Sequence, residues 1–179
     1  MEQPEALVIG GGPAGLMAAG ELAGAGARVV VAEAKPSVAR KFLMAGKSGL
    51  NLTKAEPVAR CVAAYGAAAE PLRPMLTAFG PEDVCRWAEG LGQPLFTGSS
   101  GRVFPEAMKA SPLLRAWLAR LEGQGVRLRT RWRWQGWAGA ALRFATPEGA
   151  RDLAPGVTVL ALGGASWARL GSDGAWAPW

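Results

Sequence analysis

Histidine is absent from this 179-residue chain, and cysteine occurs only at Cys61 and Cys85. The first absence removes Ser-His-Asp and Cys-His nucleophilic catalysis, histidine-ligated metals and any imidazole proton shuttle. The second removes a Cys-x-x-Cys redox pair and a four-cysteine zinc site. Acids are scarcer than bases, 14 Asp and Glu against 20 Lys and Arg, for a net charge of +6. An uninterrupted apolar run is lacking too. Residues 6–25 are apolar but carry six glycines, a proline and Glu21, so they are not read as a membrane span. The amino terminus, Met1-Glu2-Gln3-Pro4-Glu5, is acidic where a secretory signal is basic. These features predict a cytoplasmic chain with reduced thiols and no membrane partner.

Half of the residues are hydrophobic and 19% are charged, which places the sequence in the globular class. Its length suits a single domain over residues 1–179, able to bury roughly 70% of its unfolded surface without disulfide or metal. Fifteen of the bases are arginine. Such a balance favours phosphate-bearing ligands or nucleic acid. A solvated arginine-rich surface explains it more simply, no zinc-finger, homeodomain or RNP-type pattern is present, and no nucleic-acid partner is expected.

The pattern of elements opens with Ala6-Leu7-Val8-Ile9, a short apolar run of the kind buried in parallel sheets. A helix is predicted over residues 13–25, stopped by Gly24-Ala25-Gly26. Arg28-Val29-Val30-Val31-Ala32, closed by Glu33, reads as a second strand. Together these make a βαβ unit with a right-handed crossover. Residues 35–54 show no period and read as an extended loop. Helical patterns resume over 58–69, 72–79 and 81–89, and a helix capped at Ser111 runs to Gly123. From Val126 the period is two: Arg127, Arg129, Arg131 and Arg133 alternate with Leu128, Thr130, Trp132 and Trp134. One strand with a basic and an apolar face is predicted there. A hairpin about Pro147-Glu148-Gly149 and a last strand over 157–162, running into Gly163-Gly164, follow.

Chemistry is concentrated in Gly10-Gly11-Gly12-Pro13-Ala14-Gly15, which holds the Gly-x-Gly-x-x-Gly spacing. Gly10 permits a tight turn off the strand, Gly12 lets a pyrophosphate approach the backbone, and Gly15 lets helix and strand pack closely. The helix N-terminus then offers free N–H groups and partial positive charge to the phosphates. Alone the hexapeptide is weak evidence; strand before, helix after and an acid at the end of the next strand make it specific. That acid is Glu33, eighteen residues beyond Gly15. Its carboxylate suits the two ribose hydroxyls of an adenosine and repels a 2′-phosphate, so FAD or NAD fits better than NADP.

Further along, Arg40-Lys41, Gly46-Lys47-Ser48-Gly49-Leu50-Asn51-Leu52-Thr53, Gly101-Arg102-Val103-Phe104-Pro105 and Gly163-Gly164-Ala165-Ser166-Trp167 appear in order, followed by Gly171-Ser172-Asp173-Gly174. In these runs the chain resembles the BaiN/YhiN-like family of NAD(P)/FAD-dependent oxidoreductases, glutathione-reductase-like flavoproteins. The resemblance implies an α/β, Rossmann-like FAD/NAD(P)-binding domain whose central parallel sheet carries helices and a β-meander. It also implies an FAD site drawn from Gly10, Gly12, Pro13, Ala14, Gly15, Glu33, Ala34, Arg40, Lys41, Asn51, Trp134, Ala161, Gly163 and Gly164, with NAD(P)H as electron donor. Trp134 falls where a strand backbone faces the adenine edge, and Leu162 replaces the threonine of the usual Ala-Thr-Gly-Gly.

Family members continue into a substrate domain and a returning C-terminal stretch. This sequence is accordingly expected to be an N-terminal portion, to bind a small-molecule substrate only in a longer form, and to self-associate through apolar faces bearing Trp167, Trp176 and Trp179. Lys47 and Ser48 suit either a flavin-proximal or a solvated loop, and no catalytic residue is assigned. The alternative reading is a non-enzymatic module that binds NAD or ADP-ribose.

Overall fold

The computed structural model describes residues 3–177, and the chain divides into two compact units. The first is Met1–Met44 with Leu118–Trp179, the second Ala45–Trp117. In chain order the elements begin β1 (Ala6–Ile9), α1 (Pro13–Gly24), β2 (Val29–Glu33), α2 (Arg40–Ala45) and β3 (Thr53–Lys54). Next come α3 (Val58–Ala63), a short 3-10 turn, α4 (Ala69–Ala78), α5 (Pro81–Gly90), β4 (Leu95–Thr97) and β5 (Arg102–Pro105). The rest is α6 (Ala110–Gly123), β6 (Arg127–Thr130), β7 (Arg133–Ala138), β8 (Ala141–Thr146), β9 (Gly149–Leu153) and β10 (Val157–Leu160).

In the first unit a four-stranded parallel sheet runs β10-β1-β2-β6. Ala6 lies opposite both Val157 and Val29, so β1 is central, and all four of its residues are buried. The βαβ reading holds. Pro13 opens α1 with a preset φ and no N–H to satisfy, and Gly26 at φ +90° ends the turn beyond it. The β-meander β7-β8-β9 is antiparallel and packs on the sheet. Leu7 and Ile9 from β1 and Ala32 from β2 meet Trp132, Trp134, Leu142, Phe144 and Leu153 in one cluster. Alternate residues of a strand face opposite sides, so Ala6 and Val8 turn toward the face that α1 covers.

Residues 127–133 depart from the expected single strand. Arg131 takes a left-handed φ of +58°, and the chain leaves the parallel sheet there to start the meander. The alternation survives the break: Arg127, Arg131 and Arg133 are exposed, while Trp132 and Trp134 are buried at 5%. Burial of one side in the core explains the apolar residues, and solvent on the other explains the arginines.

Within the second unit, β3, β5 and β4 form an antiparallel sheet that period counting missed. Its strands are two to four residues long, too short to show an alternation. For the same reason α2 and β3 emerge from residues read as loop. The helix predicted over 58–69 ends early, at Ala63, ahead of Gly66 at φ +56°. The helix α6 starts at Ala110 rather than at Ser111, with Leu113, Leu114, Trp117 and Leu121 buried. Trp87 of α5 meets Trp117 edge-on at 4.8 Å.

Candidate functional site

The glycine turn lies between the end of β1 and the start of α1, and its three motif glycines differ in what requires them. Gly10 has φ +111°, and a Cβ there would lie 2.3 Å from the carbonyl oxygen of Ala161. At Gly15 a Cβ would lie 1.9 Å from the carbonyl oxygen of Gly10. Close packing of turn, helix and β10 therefore demands both. Gly12 has an ordinary extended backbone, φ −82° and ψ 179°, and a Cβ there would meet nothing within 4 Å. The chain's own packing leaves that space open, at a helix N-terminus with no side-chain cap.

Glu33 closes β2 and turns back over this turn. Its Oε2 accepts from the Gly11 N–H at 2.9 Å and its Oε1 from the Lys35 N–H at 2.8 Å. A carboxylate offers about four lone-pair directions, so both oxygens retain acceptor capacity. The Gly11 carbonyl accepts from the N–H of Ala39 at 2.7 Å, and Ala39 is held at a left-handed φ of +55°. Such a conformation in a non-glycine residue persists only where its surroundings fix it. Here it sets the start of α2, and with it Arg40 and Lys41. Arg40 Nε is buried and has no hydrogen-bond partner among the described residues. Lys41 Nζ donates to Ser166 Oγ at 3.4 Å.

These groups enclose a cleft of about 410 Å³ in the first unit. Gly10, Gly12, Pro13, Ala14 and Glu33 form one side of it, Arg40 and Lys41 another, and Ala161 and Gly163 a third. Beyond Glu33 lies a smaller cavity of about 100 Å³, bounded by Ala34, Trp132, Arg133 and Trp134. Twelve of the fourteen residues that the sequence nominates are thus in or beside the turn, Gly15 standing behind it and eleven lining the cavities. Gly164 lines neither cavity; its carbonyl accepts from Ser172 Oγ. Asn51 belongs to the second unit, where its N–H donates to the Gly49 carbonyl at 3.1 Å. The Trp134 side chain is a core residue, edge-on to Trp137 at 6.0 Å.

Residues not nominated from sequence also line the cleft, Ser172 and Trp176 among them. Ser172 is buried at 8%, with Oγ 3.0 Å from the Leu162 carbonyl oxygen and in contact with that of Gly164. It ties the segment after the Gly-Gly pair back onto the strand end. The run Gly171-Ser172-Asp173-Gly174 signals a turn; its docking partner is not encoded locally. Asp173 stands below its ordinary carboxyl range, chiefly through the Ala175 N–H and then through Arg133 and Lys35. Trp176, expected to be exposed, is half-buried instead: it packs on the sheet–meander cluster and its Nε1 donates to the Gly163 carbonyl at 3.0 Å. Trp167 is 60% exposed, and Trp179 lies outside the described residues.

Among known structures the chain is similar to a flavocytochrome c3 fumarate reductase in its open conformation, at TM-score 0.69 and 19% identity over 91% of this chain and 34% of that one. It is similar also to the 3-ketosteroid-Δ4-(5α)-dehydrogenase of Rhodococcus jostii RHA1, at TM-score 0.57 and 19% identity over 90% and 46%. A third is OxyS, the anhydrotetracycline hydroxylase of Streptomyces rimosus, at TM-score 0.56 and 20% identity over 91% and 32%. At such identities the likeness establishes the fold. The chain spans between 30% and 57% of the length of the first structures it matches. No curated protein matches it in sequence. No helix among the described residues is long and apolar enough to cross a membrane. The HI0933-like protein Rossmann domain matches residues 4–179, and the chain belongs to that family.

Proposed function

We propose that the first unit binds the ADP half of FAD and serves as the cofactor-binding part of an NAD(P)/FAD-dependent oxidoreductase of the cytoplasm. Gly12 carries the reading. A glycine that no contact within the chain requires, beside an uncapped helix N-terminus, is explained by a pyrophosphate occupying the open space. Arg40 supports it, since a buried guanidinium nitrogen without a partner fits an anionic oxygen. Glu33 keeps acceptor capacity for the ribose hydroxyls, and Ala34 and Trp134 border the cavity left for the adenine. When bound, the flavin supplies hydride acceptance; the protein's share is to hold, orient and shield it. Reduction by NAD(P)H and turnover of a small-molecule substrate belong to this proposal.

Calorimetric titration with ADP and with FAD tests it. Binding of ADP with an affinity close to that of FAD is expected, because the groups that line the cleft all suit the ADP half. No binding of either ligand would refute the reading. Saturable NAD or ADP-ribose binding with no FAD binding would favour the non-enzymatic module.

A further inference from the structure

Gly11 stands at a variable position of the glycine motif, yet a side chain there would meet its neighbours. A Cβ would lie 2.6 Å from Cγ1 of Val38 and 3.2 Å from Oε2 of Glu33. The Gly11 backbone is held on both sides: its N–H donates to Glu33 Oε2 at 2.9 Å, and its carbonyl accepts from the Ala39 N–H at 2.7 Å. Ala39 is buried, and its own carbonyl accepts from the Leu43 N–H at 3.0 Å, a bond that opens α2. Arg40 and Lys41, the next two residues, line the cleft. One path thus runs from the carboxylate that ends β2, through the backbone of Gly11, to the start of α2. We infer that Glu33, acting through Gly11 and Ala39, is a positioning residue for Arg40 and Lys41, and so for the phosphates these cations would hold. The inference rests on the nucleotide reading of the cleft and goes beyond it, because ribose acceptance by Glu33 requires neither Gly11 nor α2.

The path selects a carboxylate at position 33. Both backbone partners, the N–H groups of Gly11 and Lys35, are donors, and each takes one oxygen, at distances usual for an ionised acceptor. An amide has one acceptor and one donor end, so glutamine would satisfy one N–H and set its own donor against the other. At the far end of the path Ala39 keeps a strained left-handed φ of +55°, which its bond to Gly11 helps to hold. Without the carboxylate the Gly11 N–H loses its acceptor and the turn is held from one side only. Arg40 and Lys41 then occupy their binding geometry for a smaller fraction of the time, and phosphate affinity falls by that fraction.

Inorganic pyrophosphate has no ribose, so it separates positioning from ribose contact. Pyrophosphate and ADP are titrated calorimetrically into wild type, Glu33→Gln and Glu33→Ala, and amide hydrogen exchange at Gly11 and Ala39 is followed by NMR. Leu121→Ala, a buried change where α6 packs on Gly20 of α1, controls for lost stability alone. Glu33→Ala should weaken pyrophosphate about tenfold and speed exchange at both amides relative to those of β1. Glu33→Gln, which keeps one acceptor, should do the same by less, and it carries the test if the alanine variant fails to fold. Removing a negative charge near an anion favours binding by Coulomb's law, so weakening is the signature of positioning. Leu121→Ala should lower the melting temperature and leave pyrophosphate affinity unchanged. Unchanged or tighter pyrophosphate binding in both Glu33 variants, with ADP weakened, would overturn the inference and leave Glu33 a ribose ligand alone. Equal weakening in Leu121→Ala, or faster exchange at Gly11 with Ala39 unaffected, would overturn it as well. If wild type binds ADP but not pyrophosphate, this inference fails by itself; if it binds neither, the nucleotide reading fails and the inference with it.

Discussion

Substituting the three motif glycines one at a time should separate folding from binding. In Gly10→Ala the new Cβ meets the Ala161 carbonyl oxygen at 2.3 Å in a backbone at φ +111°. Both the backbone conformation and the overlap are unfavourable, roughly 1–3 kcal/mol each, for a total of about 2–6 kcal/mol. For a chain of this size that lowers the melting temperature by roughly 4–24 °C. Gly15→Ala, with a Cβ 1.9 Å from the Gly10 carbonyl oxygen, should behave alike. Gly12→Val places its side chain where nothing lies within 4 Å. Its cost to the fold is confined to a poorer helix N-cap, about 1 kcal/mol, yet it fills the space assigned to the pyrophosphate and should abolish ADP binding. Thermal melts and ADP titrations of the three variants form the assay. Wild-type ADP affinity in Gly12→Val, or an unchanged melting temperature in Gly10→Ala, would refute the reasoning.

Glu33→Ala should weaken ADP by roughly 1–3 kcal/mol, the loss of charge-assisted hydrogen bonds; unchanged affinity in calorimetry would remove Glu33 from the site. Asp173, whose folded pKa is depressed below its ordinary 3.8, contributes stability that is present above that value and lost as pH falls through the depressed one. The melting-temperature difference between wild type and Asp173→Ala should therefore be constant from neutral pH to about pH 5 and vanish in stronger acid; a difference vanishing near neutrality would refute the assignment. Along the sheet edge, Val157 is 51% and Leu160 49% exposed, and β10 has a neighbour on one side only. Self-association that Leu160→Lys suppresses is expected in sedimentation velocity, and a concentration-independent monomer would argue against it.

What the sequence discloses depends on the distance over which a residue's reason for being there acts. Gly10, Gly15 and Glu33 answer to neighbours in the first βαβ unit or to the adjoining strand end, and the spacing alone announces them. The hairpin about Pro147-Glu148-Gly149 is equally local, and the structure forms it from β8 and β9. Arg131 is the contrary case. Its place in an unbroken alternation gives no sign of a left-handed φ, because the break serves the passage from sheet to meander while each side chain keeps its face. The short sheet of the second unit fails for a different reason, since runs of two to four residues carry too few positions for a period.

The segment from Gly171 to Trp176 illustrates the limit most directly. Its glycines mark a turn, its serine and aspartate are ordinary turn residues, and a tryptophan near the end of the sequence reads as exposed apolar surface. Its docking is decided by carbonyls at Leu162, Gly163 and Gly164 that strand geometry leaves unpaired beyond Leu160. A backbone acceptor has no residue type, so no sequence pattern signals that Ser172 and Trp176 will donate to these carbonyls. The same strand end borders the cleft at Ala161 and Gly163. The donors that finish β10 are therefore brought beside the cleft by the needs of the fold itself.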